Sequence, residues 1–417
     1  MNHFRIKLSL FLNYFVFAIL LNSVGTVIML VQQYFHVTGK QASYIDPFKD
    51  LSIAAASFIV GAIITKVGYR KSMIIALLTV TIACFIIPSL KFFLAVKLFY
   101  AVVGFGFGLT KVAVFGTIGL VTKSNKEHLS FMNFIESFFM VGVLCGYYLF
   151  AAFSKDSETG NWFTTFYITG AFAFVALLLV ITTKIDESAI QAETKSSFAD
   201  DLLAMIKLAV VPFILSFVTC AFLYVLIEQS SMNWIPSFNK GVLMLSEPLA
   251  ITMGSILSAS IALGRFTAGV VLRKIGWFPV LVGCILMTAL IMFISLNMVS
   301  ESKVAVESFK DIPLVAFIMP LMGLFLAPIY PAINSVILAS LPKEKHGAMS
   351  GLIVIFSAIG GTIGSVVTGA LFDSVGGIKA FYFSFIPMTL LLIALYLFNR
   401  QQGNRTTIKD FNASASH

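Results

Sequence analysis

Runs of twenty or more apolar residues follow one another along almost the whole chain, separated only by short polar loops. A run of that length crosses the ~30 Å hydrocarbon layer of a bilayer as a helix, because in lipid the backbone must satisfy its own hydrogen bonds. The runs are too long and too continuously apolar for the alternating ten-residue strands of a membrane barrel. Twelve spans are expected, at about 8–35, 43–65, 72–90, 93–121, 129–152, 162–183, 207–236, 247–272, 278–298, 312–341, 346–372 and 379–398. Composition agrees: 59% hydrophobic and 11% charged residues leave far more apolar surface than a soluble core of 417 residues can bury. The first run, behind Arg5 and Lys7, exceeds a signal-peptide core, and no soluble domain follows it. Cys84, Cys145, Cys220 and Cys284 all fall inside spans, without metal-type pairing or a loop arrangement suited to disulfides, and read as packing residues.

Basic residues orient the spans. The loops on one side hold Arg5, Lys7, Arg70, Lys71, Lys123, Lys126, Lys184, Arg273, Lys343, Arg400 and several more, against Lys40, Lys91, Lys155, Lys240, Lys303, Lys310 and Lys379 on the other. Positive residues stay cytoplasmic, so both termini are expected inside, in a plasma membrane such as a bacterial inner membrane. The net charge of +9 is spread over many short loops, which argues against a nucleic-acid partner. The largest interior polar segment, 184–206, divides the chain into a first six-helix bundle (1–183) and a second (207–400), with a polar tail at 401–417.

The chain also repeats itself. Gly61-Ala-Ile-Ile-Thr65-Lys66-Val67-Gly68-Tyr69-Arg70-Lys71 recurs as Gly269-Val-Val-Leu-Arg273-Lys274-Ile275-Gly276-Trp277, and both glycine pairs are offset by 208 residues (269−61, 276−68). A second echo, at an offset of 218, sets His128 on His346, Gly142 on Gly360 and Gly146 on Gly364. Echoes at half the chain length within apolar sequence predict two parallel repeats related by a pseudo-two-fold axis along the membrane normal. Glycines four apart let helices approach closely, so tight packing is a sufficient reading of the second echo.

Twelve spans, a six-plus-six division and a loop ending Gly-Tyr-Arg-Lys, mirrored between spans 8 and 9, resemble the major facilitator superfamily over essentially the whole chain. That resemblance implies alternating access around a central path lined by spans 1, 4, 7 and 10, and a cytoplasmic gate motif here carried by Gly61, Gly68, Arg70, Lys71, Gly269, Arg273 and Gly276. The family's motif usually holds an aspartate where this chain has Thr65, with Arg273 at the equivalent place in the second copy. Gly104-Phe-Gly-Phe-Gly108, Glu136-Ser137-Phe138 and Glu228 with Asn233-Trp234-Ile235-Pro236 are similar to the fucose:proton symporter branch, which implies proton-driven sugar uptake. That branch carries an acidic residue after its glycine-rich stretch, where this chain has Thr110 and Lys111.

Ionisable groups inside spans are costly, about 2.5–3.5 kcal/mol each on insertion scales, and so normally face a partner or a wet cavity. Lys111 of span 4 and Glu136 of span 5 lie at similar depths; they form either a structural pair or part of a substrate site, and Glu136 is also a candidate for proton coupling. Glu228 is a candidate proton carrier, and Gln229, Asn233 and Trp234 behind it are candidate substrate contacts, Trp234 through its apolar plane. Pro236 is expected to end that span. Asp46 and Asp50 share one helix face, where mutual repulsion favours holding a proton, although Lys49 between them can neutralise one and Asp46-Pro47 also reads as an ordinary helix start. Arg265 suits an anion or the neighbouring gate. Asn22, Asn133, Tyr330 and Asn334 are further substrate candidates, together with Gln32, and Pro328 and Pro331 are expected to break span 10.

No nucleotide loop, metal motif or catalytic constellation competes, so no enzyme, cofactor or metal is expected. The expected function is a secondary transporter, monomeric, moving a small polar solute such as a sugar, sugar acid or other organic anion with protons. The alternative is a proton-driven exporter of the same architecture.

Overall fold

The computed structural model describes residues 3–121, 125–155, 157–185, 187, 210–299, 304–339 and 346–403. Its described residues are helical throughout apart from short loops and one isolated bridge, Leu245 to Val306. Span 1 is two helices, His3–Asn22 and Val24–Tyr34, interrupted at Ser23; a short helix, Gly39–Ser43, follows. Spans 2 to 6 are Ile45–Val67, Tyr69–Ile86, Phe93–Val121, Asn125–Phe153 and Thr164–Thr182. Spans 7 to 9 are Pro212–Gly241, Glu247–Ile275 and Trp277–Asn297. Span 10 is built from Val315–Ile318, Met322–Leu326 and Ile329–Ala339, span 11 is His346–Val375, and span 12 is Gly377–Tyr382 with Phe385–Gly403. The chain is a multi-pass membrane protein of twelve spans in two bundles.

Local chemistry explains the breaks. Span 10 fragments around Pro320 and Pro328, each of which removes a backbone donor, whereas Pro331, expected to break it, sits in the first turn of the helix Ile329–Ala339, where its missing donor costs no helix bond. Pro236, in contrast, does not end span 7: it is buried inside a helix that runs on to Gly241, since one missing donor is tolerated where neighbouring helices hold the segment. The last helix continues to Gly403, past the expected start of the tail. Of the linker, only 184, 185 and 187 lie among the described residues.

The doubled motif has a backbone cause. Gly68 (φ +85°) and Gly276 (φ +87°) each begin the next helix from the left-handed half of the map, where a side chain is strained. The other echo is packing. A Cβ on Gly360 or Gly364 would stand 2.4 Å from the carbonyls of Phe222 or Leu226, and one on Gly142 2.7 Å from Ala18. All four cysteines are free; Cys84, Cys220 and Cys284 are buried, whereas Cys145 is exposed, so packing accounts for three of them.

Within the first bundle span 2 packs on span 4, span 1 on span 5 and span 3 on span 6; in the second, span 7 packs on spans 11 and 12 and span 8 on span 10. Between bundles the contacts run from span 1 to span 7, span 2 to span 11 and span 5 to span 8. The end carrying the loop between spans 1 and 2, which the basic-residue count assigns to the outside, is called the outer end below.

Candidate functional site

Span 2 starts at Ile45, so Asp46, Lys49 and Asp50 occupy its first turns on one face. Lys49 Nζ lies 3.0 Å from Asp46 Oδ1 and 3.3 Å from Asp50 Oδ1. Asp46 is 0% exposed, Lys49 4% and Asp50 9%, so three charged groups with a formal sum of −1 are buried together. Lys49 therefore serves both carboxylates. The glycine-rich stretch of span 4 makes this possible: a Cβ on Gly104 would stand 2.2 Å from the Lys49 carbonyl oxygen, and one on Gly108 2.6 Å from Ala56. With no side chains there, span 4 lies directly against span 2.

The second bundle meets this cluster with uncharged groups. Asn233 Nδ2 donates to Asp46 Oδ2 at 2.6 Å and approaches Ser365 Oγ at 3.4 Å. Gly25 of span 1 lies against the Asn233 backbone, its missing Cβ 2.6 Å from the Asn233 Cα. One residue on, Trp234 donates from Nε1 to the Ser365 carbonyl at 3.0 Å and packs on Phe372, ring centroids 4.8 Å apart. Farther out, the Asp373 carboxylate accepts from the backbone N–H groups of Gly39 and Lys40, at 2.7 Å each. A Cβ on Gly39 would stand 2.9 Å from the Trp234 ring, and one on Gly369 2.9 Å from the Gly39 carbonyl. These contacts close the outer end.

Beneath that seal is a cavity of about 170 Å³, lined by Asn22, Lys49, Asp50, Phe139, Gln229 and Asn233 with Leu21, Ile53 and Met232. Asn22 also donates to its own helix at Ala18, so its amide oxygen remains for a ligand. A second polar cluster starts one residue from Gln229. Tyr224 OH donates to Glu228 Oε1 at 2.7 Å, the Tyr224 and Tyr330 rings stack 5.6 Å apart, and Tyr330 OH lies 3.0 Å from Ser357 Oγ. Arg265, exposed on span 8, attracts Glu228 electrostatically, and Asn334 Oδ1 is buried without a hydrogen bond.

The sequence candidates thus separate. Asn22, Asp50, Gln229 and Asn233 line the cavity, and Asp46 sits directly behind it. Glu228, Tyr330 and Asn334 belong to the second cluster, while Trp234 is wholly buried in the outer seal and presents its plane to Phe372. Gln32 donates to its own helix at Ile28. Lys111 is exposed on span 4. The side chains of Asn133 and Glu136 lie outside the described residues, as do Thr65 and the motif positions Gly61, Gly269 and Arg273. Among the described motif residues, Arg70 donates from Nη2 to the Ile181 carbonyl at 2.5 Å, and its backbone N–H donates to Glu187 Oε1 at 2.6 Å. The Glu187 carboxylate occupies the space a side chain on Gly68 would need, 2.3 Å from that Cβ position. Lys71 is exposed, and nothing lies within 4 Å of a Cβ on Gly276.

Sequence reasoning missed Ser365, Asp373 and Glu187. A lone aspartate at a span end and a glutamate at the start of a linker carry no local signal; only the tertiary fold sets them against helix N-termini.

A model of the Major Facilitator Superfamily matches residues 9–306 and 302–415 of this chain. No curated protein sequence matches it. Among solved structures, the fold is similar to that of a bacterial homologue of the human lysosomal transporter Spinster, at 17% identity, TM-score 0.75, covering 98% of this chain and 100% of that one. It is similar to a D-xylose-proton symporter at 16% identity, TM-score 0.74, covering 95% and 97%. A variant of the nucleoside transporter NupG aligns at 15% identity, TM-score 0.74, covering 94% and 99%.

Proposed function

The chain belongs to the major facilitator superfamily and is a transporter, not an enzyme, and we propose that it carries a small, polar, uncharged solute inward together with a proton. The observation that supports this most is the buried Asp46–Lys49–Asp50 cluster on the wall of an inter-bundle cavity. Transport by alternating access needs a site at the bundle interface, and coupling needs a group there whose charge changes with the driving ion.

The lining favours a neutral substrate. Lys49 is already held by two carboxylates, so it offers a bound anion no unpaired positive charge. Asn22 and Gln229 supply amides, and Asn233, whose amide nitrogen turns to Asp46 and Ser365, supplies an acceptor oxygen, together matching hydroxyl groups, while the Phe139 ring supplies an apolar plane. At about 170 Å³ the cavity has room for roughly five or six waters' worth of solute, well below the size of a drug site. That weighs toward a sugar-like metabolite and against the sugar acids, organic anions and bulky export substrates that composition alone leaves open. Two similar structures, a D-xylose-proton symporter and a nucleoside transporter, are named for substrates of this hydroxylated kind.

In this mechanism a proton from the outer side enters the cluster while the outer end is open. The solute binds the amides of both bundles, and the outer seal closes behind it. Asp50, which faces the cavity, returns the proton toward the cytoplasm. Orientation with both termini inside, 184–206 as a linker between bundles, and a monomeric state are parts of the same reading.

Proteoliposomes with the interior more alkaline, screened with sugars, nucleosides, amino acids and sugar acids, test it. A neutral hydroxylated solute is expected to accumulate and to leave again when a protonophore is added. Asp50→Asn should abolish accumulation while preserving exchange of labelled for unlabelled solute. Undiminished accumulation by Asp50→Asn would remove the cluster from coupling, and gradient-driven extrusion in place of uptake would establish the export alternative.

A further inference from the structure

We propose that Lys97 anchors a binding site for an anionic phospholipid of the outer leaflet, in the lipid-facing groove between spans 2 and 4. The site stands apart from the cavity and from the reading of what is transported. Span 4 begins at Phe93 and span 2 at Ile45, so Lys97 lies in the second turn of the one, beside Phe48 in the first turn of the other. Lys97 Nζ stands 4.8 Å from the centroid of the Phe93 ring and 5.6 Å from that of Phe48. The Phe93 ring is in turn held by Phe35 at the end of span 1, their centroids 6.0 Å apart, so this wall of the cradle is in place before any ligand arrives.

Ring faces attract an ammonium, but they bring no charge to neutralise it. Among the described residues no carboxylate lies within ion-pair distance of Lys97; the three ion pairs there belong to Lys49 and Lys240. The countercharge therefore has to come from outside the protein, and the surroundings say from where. Tyr44 and Leu51, three and four residues from Phe48, are exposed on the span 2 side, and Leu94 and Leu98 are exposed on span 4 beside Lys97. Exposed apolar side chains on a spanning helix face acyl chains, so the groove is lipid-filled below the ammonium.

Depth selects the headgroup. Span 4 has 29 residues, about 43 Å at ~1.5 Å per residue, against a ~30 Å hydrocarbon layer, so a centred helix projects about 6 Å beyond that layer at each end. Lys97, four residues after Phe93, is also about 6 Å along the helix, at the boundary of acyl chains and headgroups, from which its stem lifts the ammonium to the phosphates. One ammonium between two rings matches one phosphodiester. Phosphatidylethanolamine would bring a second ammonium to the same two rings, whereas phosphatidylglycerol brings only hydroxyl groups, and it is the better match.

Lipid contact at this groove can be read directly. A fluorophore on Leu94→Cys, in a cysteine-free protein reconstituted in digalactosyl diglyceride vesicles, is quenched by a minority lipid carrying brominated chains. Brominated phosphatidylglycerol is expected to occupy the groove roughly fivefold more tightly than brominated phosphatidylethanolamine, the contribution of one lysine at the membrane surface. The same fluorophore on Leu286→Cys, exposed midway along span 9, should show no preference. Lys97→Gln should abolish the preference at Leu94, Lys97→Arg should keep it, and Lys91→Gln, which removes an exposed charge from the neighbouring loop, should leave it unchanged. If Lys97→Gln fails to fold, Lys97→Met, apolar and of similar reach, must show the same loss. No preference in the parent protein, a preference surviving in the Lys97→Gln or Lys97→Met protein, or an equal preference at Leu286 would overturn the proposal.

Discussion

Removing the Asp373 carboxylate should open the outer end. In the closed arrangement its two oxygens accept from the backbone N–H groups of Gly39 and Lys40 at 2.7 Å each, tying the second bundle to the start of the short helix Gly39–Ser43. Hydrogen bonds to a charged group contribute about 1.5–3 kcal/mol each, but both N–H groups regain water on opening and Asp373 is itself exposed. A net loss of about 1–2 kcal/mol is the reasonable figure, which converts to a shift of roughly five- to thirtyfold toward the open form. Met232, which lines the cavity beneath the seal, can be replaced by cysteine in a cysteine-free background and challenged from outside with a membrane-impermeant maleimide. Labelling should accelerate about five- to thirtyfold in Asp373→Ala and less in Asp373→Asn, which keeps acceptor capacity but loses the charge. Equal labelling in all three proteins would refute the claim that this carboxylate holds the seal.

Other outcomes follow from single contacts. Gly39→Ala should also raise Met232 labelling from outside, because its Cβ would stand 2.8 Å from Asp373 Oδ1 and 2.9 Å from Trp234. Gly360→Val should lower the unfolding temperature in detergent by several degrees, while Gly146→Ala, whose nearest contact would be 3.4 Å away, should change it little. Glu187→Gln should slow transport severalfold without altering substrate affinity, since it leaves the cavity untouched and weakens the bond to the Arg70 N–H at the start of span 3; an unchanged rate would separate Glu187 from gating.

How much of this could be read beforehand depends on the range of each interaction. The twelve spans and the repeats were legible because hydropathy and glycine spacing are local or periodic. Asp46 and Asp50 were legible as a pair because spacing of four sets them on one face, and Asn233 as part of the most polar patch in any span. Their meeting was not legible, since span 2 and span 7 are joined only by the tertiary fold. Lys49 illustrates the difficulty: in sequence it looks like a neutraliser that weakens the case for its neighbours, whereas in the fold one ammonium is shared by two buried carboxylates. Trp234 shows the converse. An aromatic plane beside polar residues suggested a ligand surface, but the facing helix brings Phe372 and Gly369 against it.

The two-fold plan shows why charge belongs on one side of it. The interface of spans 2 and 11 has as its pseudo-symmetric counterpart the interface of spans 8 and 5. At the 208 offset, Asp46, Lys49 and Asp50 fall on Gly254, Leu257 and Ser258. At those positions the described residues are uncharged and the contact is close: a Cβ on Gly254 would stand 3.1 Å from the Tyr147 ring. A proton arriving at the Asp46–Lys49–Asp50 cluster therefore changes the charge on the span 2 side, while close packing joins Gly254 to Tyr147 on the other. Tyr147→Phe, which keeps the ring against Gly254, should accordingly preserve proton-driven accumulation, whereas Tyr147→Ala should lower thermal stability. If Tyr147→Phe abolished accumulation while preserving exchange, as Asp50→Asn is expected to, the seam at Tyr147 would take part in coupling and the division of labour between the halves would fail.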